Sequence, residues 1–229
     1  MSSFSELAPL NVEGCRSILT LNGISIEERQ WNLLCYWALR LQTINQEVNL
    51  VSRKDIDWLW EHHILHCLSL LAIRSLSDHQ TICDFGTGGG FPGIPLAIVR
   101  PDLAVTLLDS KVKKIKVLQQ MIQELGLPNV FPIAGRGEEL GRQPAYAQRF
   151  PVIVCRAVAS LKQLVQWTQH LRSPSSVMHV YKGGDLREEL RAIQDSRGLK
   201  QTDVSIVKLE GYDQFVQDEK KIVTLYFEE

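Results

Sequence analysis

The chain has 229 residues, about one and a half times the ~150-residue length of an average domain, so it can bury a core without disulfide staples. Hydrophobic residues make up 45% of it and charged residues 22%, which excludes intrinsic disorder and fibrous architectures. The 25 Lys and Arg against 26 Asp and Glu leave a net charge of −1; any nucleic-acid contact must therefore come from a local basic patch.

Residues 1–75 read as a helical N-terminal extension. Ser25 and Glu28 have the spacing of a capping box, and after them Leu34, Trp37, Leu41 and Ile44 fall on one helical face. Ser52 and Asp55 suggest a second start, followed by Ile56, Leu59, His63, Cys67 and Leu71 at spacings of three or four. The polar stretch 75–80 reads as a boundary, with the second unit spanning 76–229. There the pattern changes to short apolar runs alternating with amphipathic ones. Strands are predicted at 81–85, 104–109, 130–134, 152–155, 177–181, 204–209 and 221–227, and helices at 95–99, 112–125, 161–170 and 186–196. Such alternation predicts an α/β sheet with helices on both faces. No clear helix separates the last two strands, which points to an antiparallel hairpin.

The opening, MSSFSELAPLNVEG, lacks the basic and apolar regions of a secretory leader. The longest apolar run, 64–73, contains His66 and is about half the roughly 20 residues that a membrane helix needs. Cys15, Cys35, Cys67, Cys83 and Cys155 stand singly without a C-x-x-C pair, the pattern of reduced thiols in a cytoplasmic protein.

The most informative segment is ICDFGTGGGFPGIPLAI, residues 82–98. A strand ends there, a glycine loop follows, and a helix begins near Pro95, a residue suited to a first helical turn. Glycines admit positive φ and let a ligand approach the main chain, and the loop falls at the carboxyl end of a strand, where open α/β sheets bind ligands. A P-loop is excluded because no Lys-Ser/Thr follows the glycines. The spacing of Asp84, Gly86, Gly88 and Gly90 is D-x-G-x-G-x-G, and the place of the third glycine in a dinucleotide fingerprint is taken by Phe91. Asp109, 23 residues beyond Gly86, ends the next strand, where a carboxylate can accept from both ribose hydroxyls of an adenosine and would repel a 2′-phosphate. This loop with a following ribose acid is the usual arrangement for S-adenosylmethionine. Asp84 either caps the loop amides or sits beside the ligand's amino group.

At the end of the fourth strand stand Val154, Cys155, Arg156 and Ala157, without the Asn/Asp-Pro-Pro-aromatic run of enzymes that methylate exocyclic amines. Cys155 is either a nucleophile with Arg156 lowering its pKa, as in C5-cytosine chemistry, or a packing residue; the proline that precedes such nucleophiles is absent. Arg156 is either a cation beside the cofactor or an RNA phosphate, or a loop-pairing residue. No catalytic base is visible. Guanine N7 carries a lone pair and no proton, so its methylation needs positioning rather than a base.

DFGTGGGFPGIPLAIVRP, LLDSKVKKIKVL, GRGEEL, CRAVASLKQLVQW and YKGG together resemble the bacterial small-subunit ribosomal RNA guanine-N7 methyltransferases, the RsmG family, also called glucose-inhibited division protein B. EVNLVSRKDI and HHILHCL look like that family's N-terminal segments. The resemblance implies a class I S-adenosylmethionine-dependent methyltransferase fold, Rossmann-like with a seven-stranded mostly parallel sheet. It implies S-adenosylmethionine as cofactor and, as acceptor, N7 of the guanine conventionally numbered 527 in the 530 loop of 16S rRNA, reached as RNA or in the small ribosomal subunit, with no membrane and no metal. It implies cofactor contacts at Gly86, Gly88 and Phe91, the ribose acid at Asp109, an adenine-contacting pair at Gly137 and Glu138, and Arg156 lining the cofactor site. Lys182-Gly183 matches a family Lys-Gly pair. The family's Arg-His-Ile-x-Asp-Ser is here His62-His63-Ile64-Leu65-His66-Cys67, and Cys155 stands where the family has Ser. Rival readings are a methyltransferase for another RNA site or a small molecule, and a non-catalytic adenosine-ligand-binding protein.

Other groups have two readings each. His62, His63, His66 and Cys67 have i, i+4 spacings that suit a metal, but on adjacent helix faces, and His63 and Cys67 lie on the apolar stripe. Lys111, Lys113, Lys114 and Lys116, with Arg100, Arg136 and Arg142, form either a phosphate-binding rim or a solvated surface. Trp31, Trp37, Trp58 and Trp60 are core residues or stack on RNA bases.

Overall fold

The computed structural model describes residues 12–52 and 54–228; most of the leader reading, at residues 1–11, lies outside them. Seven strands form one sheet: β1 Thr81–Phe85, β2 Ala104–Asp109, β3 Val130–Ala134, β4 Phe150–Arg156, β5 Arg172–Gly183, β6 Leu199–Ile206 and β7 Lys220–Phe227. The order is β3-β2-β1-β4-β5-β7-β6. The β1–β2, β1–β4, β2–β3 and β4–β5 pairs are parallel, and β7 runs antiparallel between β5 and β6. The central strands β1, β2 and β4 are buried over nearly their whole length because helices cover both faces.

The helices are α1 Val12–Leu21, α2 Glu28–Asn45, α3 His66–Ile73, α4 Gly93–Val99, α5 Val112–Leu125, α6 Gly137–Leu140, α7 Leu161–Thr168, α8 Arg187–Arg191 and α9 Gln214–Gln217. Strand residues alternate between two cores, as the period of two requires. Ile82, Val105, Leu107, Val152, Val154 and Ile222 join a cluster that contains residues of α1–α5. Phe85, Leu108, Ile153, Cys155, Val223 and Leu225 join the other, with residues of α6 and α7. The N-terminal helices therefore share the core of one sheet face. Polar ties fasten them: the Tyr181 hydroxyl donates to the Cys67 carbonyl at 2.6 Å, and Arg74, just past α3, donates to Thr224 Oγ1 at 3.0 Å and Ser205 Oγ at 2.9 Å.

Several boundaries differ from the sequence expectation. The cap of α2 is at Glu27, whose N–H donates to Gln30 Oε1 at 2.9 Å, two residues beyond the Ser25 expected. The Gln30 amide also donates to the Val99 carbonyl at the end of α4 at 3.0 Å, so a tertiary contact fixes this helix start. Residues 56–73 are one helical rod but not a uniform one: a 3-10 turn Ile56–Trp58 leads into a π-helical segment Leu59–Leu65 and then α3. The last two strands pair antiparallel as expected, but α9 and a bridge between Leu209 and Tyr212 lie between them, so the connection is not a tight hairpin. The β6 strand starts at Leu199, earlier than expected. It is an edge strand that exposes Lys200 and Gln201 near its start and Val204 and Ile206 near its end, and the apolar run that suggested 204–209 goes on to Val207 and Leu209, which turn into the core. The α8 helix is shorter than 186–196 because the following residues continue as separate hydrogen-bonded turns.

Candidate functional site

Chain order reverses between β1 and β4, so the loops after β1 and β4 part there and leave a crevice at the carboxyl edge of the sheet. A cleft of about 560 Å³ lies at this edge. Gly86, Gly88 and Phe91 from the loop after β1, Asp109 at the end of β2, Gly137 and Glu138 opening α6, and Arg156 closing β4 all line it.

The loop is bent over the end of β2. The Gly86 and Thr87 amides donate to the Leu108 carbonyl at 2.8 and 3.0 Å. Gly86 has φ +74°, and a Cβ there would meet Val158 Cγ2 at 2.5 Å, so both conformation and space require glycine. Asp84 braces the loop from inside. It is wholly buried, and its Oδ2 accepts from Thr87 Oγ1 at 2.6 Å and from the Gly93 amide at 2.8 Å. Burial pushes its carboxyl up to about 7 even though those two hydrogen bonds favour the charged form. Of the two sequence readings of Asp84, loop capping is the one realised.

Asp109 Oδ2 accepts from the Gly88 amide at 2.9 Å and Oδ1 from the Lys111 amide at 2.8 Å. Each carboxylate oxygen has a second lone pair, and the side chain lines the cleft. The Gly88 N–H, which in a dinucleotide site would be free for a pyrophosphate, is already committed to a carboxylate. Anion binding by the loop is thereby disfavoured, and hydroxyl donors on a ligand are favoured.

Across the cleft, Phe91 is the centre of an aromatic group. Its ring lies 4.9 Å from that of Trp37 and 5.1 Å from that of His63, and the Arg156 guanidinium carbon is 5.0 Å above it. Arg156 Nη1 donates to the His62 carbonyl at 3.0 Å, and Nη2 bonds to His63 Nδ1. The remaining wall comes from Leu50, Val51, Ser52 and Asp55, with Trp167 of α7. Sequence reasoning missed these residues. The available signal was Asn45, a polar residue ending an apolar helical face. Its buried carboxamide accepts from the Leu50 and Val51 amides at 2.8 and 2.9 Å and donates to the Val51 carbonyl at 3.0 Å. It thus folds residues 46–51 against the cleft.

Other sequence candidates are distributed as follows. Lys111, Lys114 and Arg136 line the cleft, whereas Lys113, Lys116 and Arg142 are exposed outside it. Arg100 is at the opposite edge of the sheet, before β2, donating to Asp102 at 2.7 and 2.8 Å and to Asp78 at 3.0 Å; it is no part of a rim. Cys155 is buried, its thiol donates to the Phe85 carbonyl at 3.4 Å, and desolvation holds its pKa well above the ordinary thiol range. That environment suppresses the thiolate a nucleophile needs. Lys182 Nζ donates to Glu189 at 2.8 and 3.0 Å and to the Ala159 carbonyl at 2.9 Å; it secures the loop after β4 from outside the cleft. Trp31 and Trp37 are core residues, while Trp58 stacks on His62 with ring centroids 5.3 Å apart. His63 bonds Arg156, and His66 packs edge-on against Tyr181. Among the described residues, no cluster of three or more His, Cys, Asp or Glu could hold a metal, and no helix is long and apolar enough to cross a membrane.

Comparison with known proteins gives this geometry a context. The structure resembles that of a precorrin-6y C5,15-methyltransferase from Geobacter metallireducens, with a TM-score of 0.52 and 12% identity over 80% of this chain and 92% of that one. At that identity the likeness concerns the fold, which is the class I methyltransferase fold. Proteins named ribosomal RNA small subunit methyltransferase G are closer in sequence. The one from Chlorobium limicola is 38% identical over 76% of this chain and 77% of its own length, and the one from Pectobacterium carotovorum 36% over 85% and 92%. The model of the family described as rRNA small subunit methyltransferase G matches residues 30–216, a span that runs from α2 through every element of the cleft to α9. The chain belongs to the rRNA small subunit methyltransferase G family.

Proposed function

We propose that the cleft binds S-adenosylmethionine through Gly86, Gly88, Phe91, Asp109, Gly137, Glu138 and Arg156, and that the chain methylates N7 of a guanine in 16S rRNA. The observation that carries the cofactor assignment is the state of Asp109. It is a carboxylate at the end of the second strand, held by two main-chain amides, with free lone pairs beside a loop that offers no phosphate cradle. Such a group orients a ribose through its hydroxyls and does not select a diphosphate. The cleft volume of about 560 Å³ suits a ligand of nucleoside size. The start of α6 would take the adenine. A Cβ at Gly137 would run into the Phe85 ring, so the glycine lets the start of α6 pack directly against that ring, which itself lines the cleft.

The cofactor supplies a methyl group activated by a sulfonium. The chain supplies position. Guanine N7 has no proton to lose, so no side chain need act as a base, and none lining the cleft has the geometry of one with a nucleophile beside it. Rate enhancement then comes from holding the acceptor in line and from fixed dipoles around the developing charge. Lys111, Lys114 and Arg136 at the cleft give a local basic group on a chain whose net charge is −1, and would receive RNA phosphates. The acceptor base and atom rest on the family resemblance.

The test is mass mapping of modified nucleosides in 16S rRNA from a strain lacking the gene and from the same strain with it restored. The expected result is one 7-methylguanosine that disappears and returns. Unchanged modification would reject the assignment and favour a small-molecule methyltransferase or a non-catalytic nucleoside-binding protein.

A further inference from the structure

Arg156 is held from three directions by segments remote in sequence. Nη1 donates to the His62 carbonyl at 3.0 Å and Nη2 bonds to His63 Nδ1 across 93 residues, while the guanidinium lies over Phe91. Burial, reinforced by the Arg156 charge, pushes His63 down to about 3, so its ring is neutral at physiological pH. A guanidinium only donates. Nδ1 must therefore accept, and the imidazole proton is on Nε2. Of the five N–H donors an arginine carries, these two contacts use two; the side chain also lines the cleft.

The place of Arg156 along the cleft indicates what those other donors meet. Asp109 on β2 and Gly137–Glu138 after β3 lie to one side of the β1 loop, and Arg156 on β4 lies to the other. A nucleoside with its sugar at Asp109 and its base at α6 turns its far end toward Arg156. In S-adenosylmethionine that end is an amino acid with a carboxylate, the anion whose planar shape a guanidinium fork matches. We propose that His63 is a positioning residue that aims Arg156 at the cofactor's α-carboxylate, and that this pair is the subsite selecting ligands with an amino-acid end. The proposal rests on the cofactor reading above. It gives the neutral histidine a role other than core packing.

The test is calorimetric titration of the full chain with two ligands, S-adenosylhomocysteine and 5′-methylthioadenosine, which keeps the sugar and base but has no carboxylate. His63→Phe preserves an aromatic ring and removes the acceptor; it should weaken S-adenosylhomocysteine by about three- to tenfold, the scale of one misplaced hydrogen bond, and leave 5′-methylthioadenosine within about twofold. His63→Asn carries a carboxamide oxygen in place of Nδ1 and should restore most of the lost affinity. Arg156→Lys keeps the charge without the fork; it should weaken S-adenosylhomocysteine alone, and it reads the same bond if His63→Phe melts early. Equal weakening of both ligands by His63→Phe, failure of His63→Asn to rescue, or an Arg156→Lys chain that binds both ligands as wild type does would each overturn the proposal. A wild-type chain that binds neither ligand would instead reject the cofactor reading, and the proposal with it.

Discussion

Asp109→Ala tests the ribose assignment most directly. The side chain is buried, 8% exposed, and its oxygens each accept one main-chain hydrogen bond, from Gly88 and Lys111. The lone pairs left over are the ones offered to the sugar. A hydrogen bond to a charged group contributes roughly 1.5–3 kcal/mol, and two ribose hydroxyls would lose theirs together. The freed Gly88 and Lys111 amides recover part of this by turning to water or to the ligand. A net loss of at least about 1.4 kcal/mol, a tenfold weaker Kd, is therefore expected, rising toward a hundredfold if the loop also loosens. Asp109→Asn keeps one acceptor oxygen but presents an NH2 where the other amide donates, so it should fall between wild type and alanine. The assay is calorimetric titration with S-adenosylhomocysteine, with thermal melting of each variant to show that the fold persists. An Asp109→Ala chain with wild-type Kd would refute the reasoning, because among the described residues lining the cleft the other carboxylates, Asp55 and Glu138, do not end a strand.

Three further outcomes follow from the same geometry. Asp84 titrates in the folded chain near 7, above its ordinary value of 3.8, so the stability it contributes is complete below about pH 4 and is lost as pH rises toward 7, at up to about 1.4 kcal/mol per pH unit. Asp84→Asn should abolish that dependence and gain stability relative to wild type between pH 4.5 and 8 in urea unfolding; a pH-independent difference would show that the buried carboxyl is not protonating. Cys155→Ala should retain methyl transfer to small ribosomal subunits within about threefold, since a thiol hydrogen-bonded to Phe85 inside the core is not a nucleophile, whereas a loss beyond about a hundredfold in a folded variant would restore covalent catalysis. Lys111→Ala with Lys114→Ala should weaken rRNA binding and lower the slope of log affinity against log salt by roughly 1.5 to 2. An unchanged slope would remove these lysines from the RNA contact.

What the sequence determined by itself was the class of fold and the place of the site. Strand-loop-helix order, the two periodicities and the bare loop between β1 and α4 are local features, each set by a few neighbouring residues. Parallel strands joined by right-handed crossovers must bring their carboxyl ends to one edge. Asp109 and Arg156, read as the ends of the second and fourth strands, were therefore bound to meet the loop of Gly86 and Phe91, and Gly137 and Glu138, which the family resemblance had singled out, join them from just after β3. Tertiary structure alone decided how that edge is used. It turned Asp84 inward to Thr87 and Gly93, and it sent Arg100, which looked like a member of the basic rim, to the other edge with Asp102 and Asp78. It also made His63, which shares the pattern of a core residue, the partner of Arg156. The His63 pairing depends on a contact between segments far apart in the chain and on side-chain direction within a π-helical turn, and the Asp84 and Arg100 pairings on how their loops fold back at each edge of the sheet; none of these is encoded in the spacing of apolar residues.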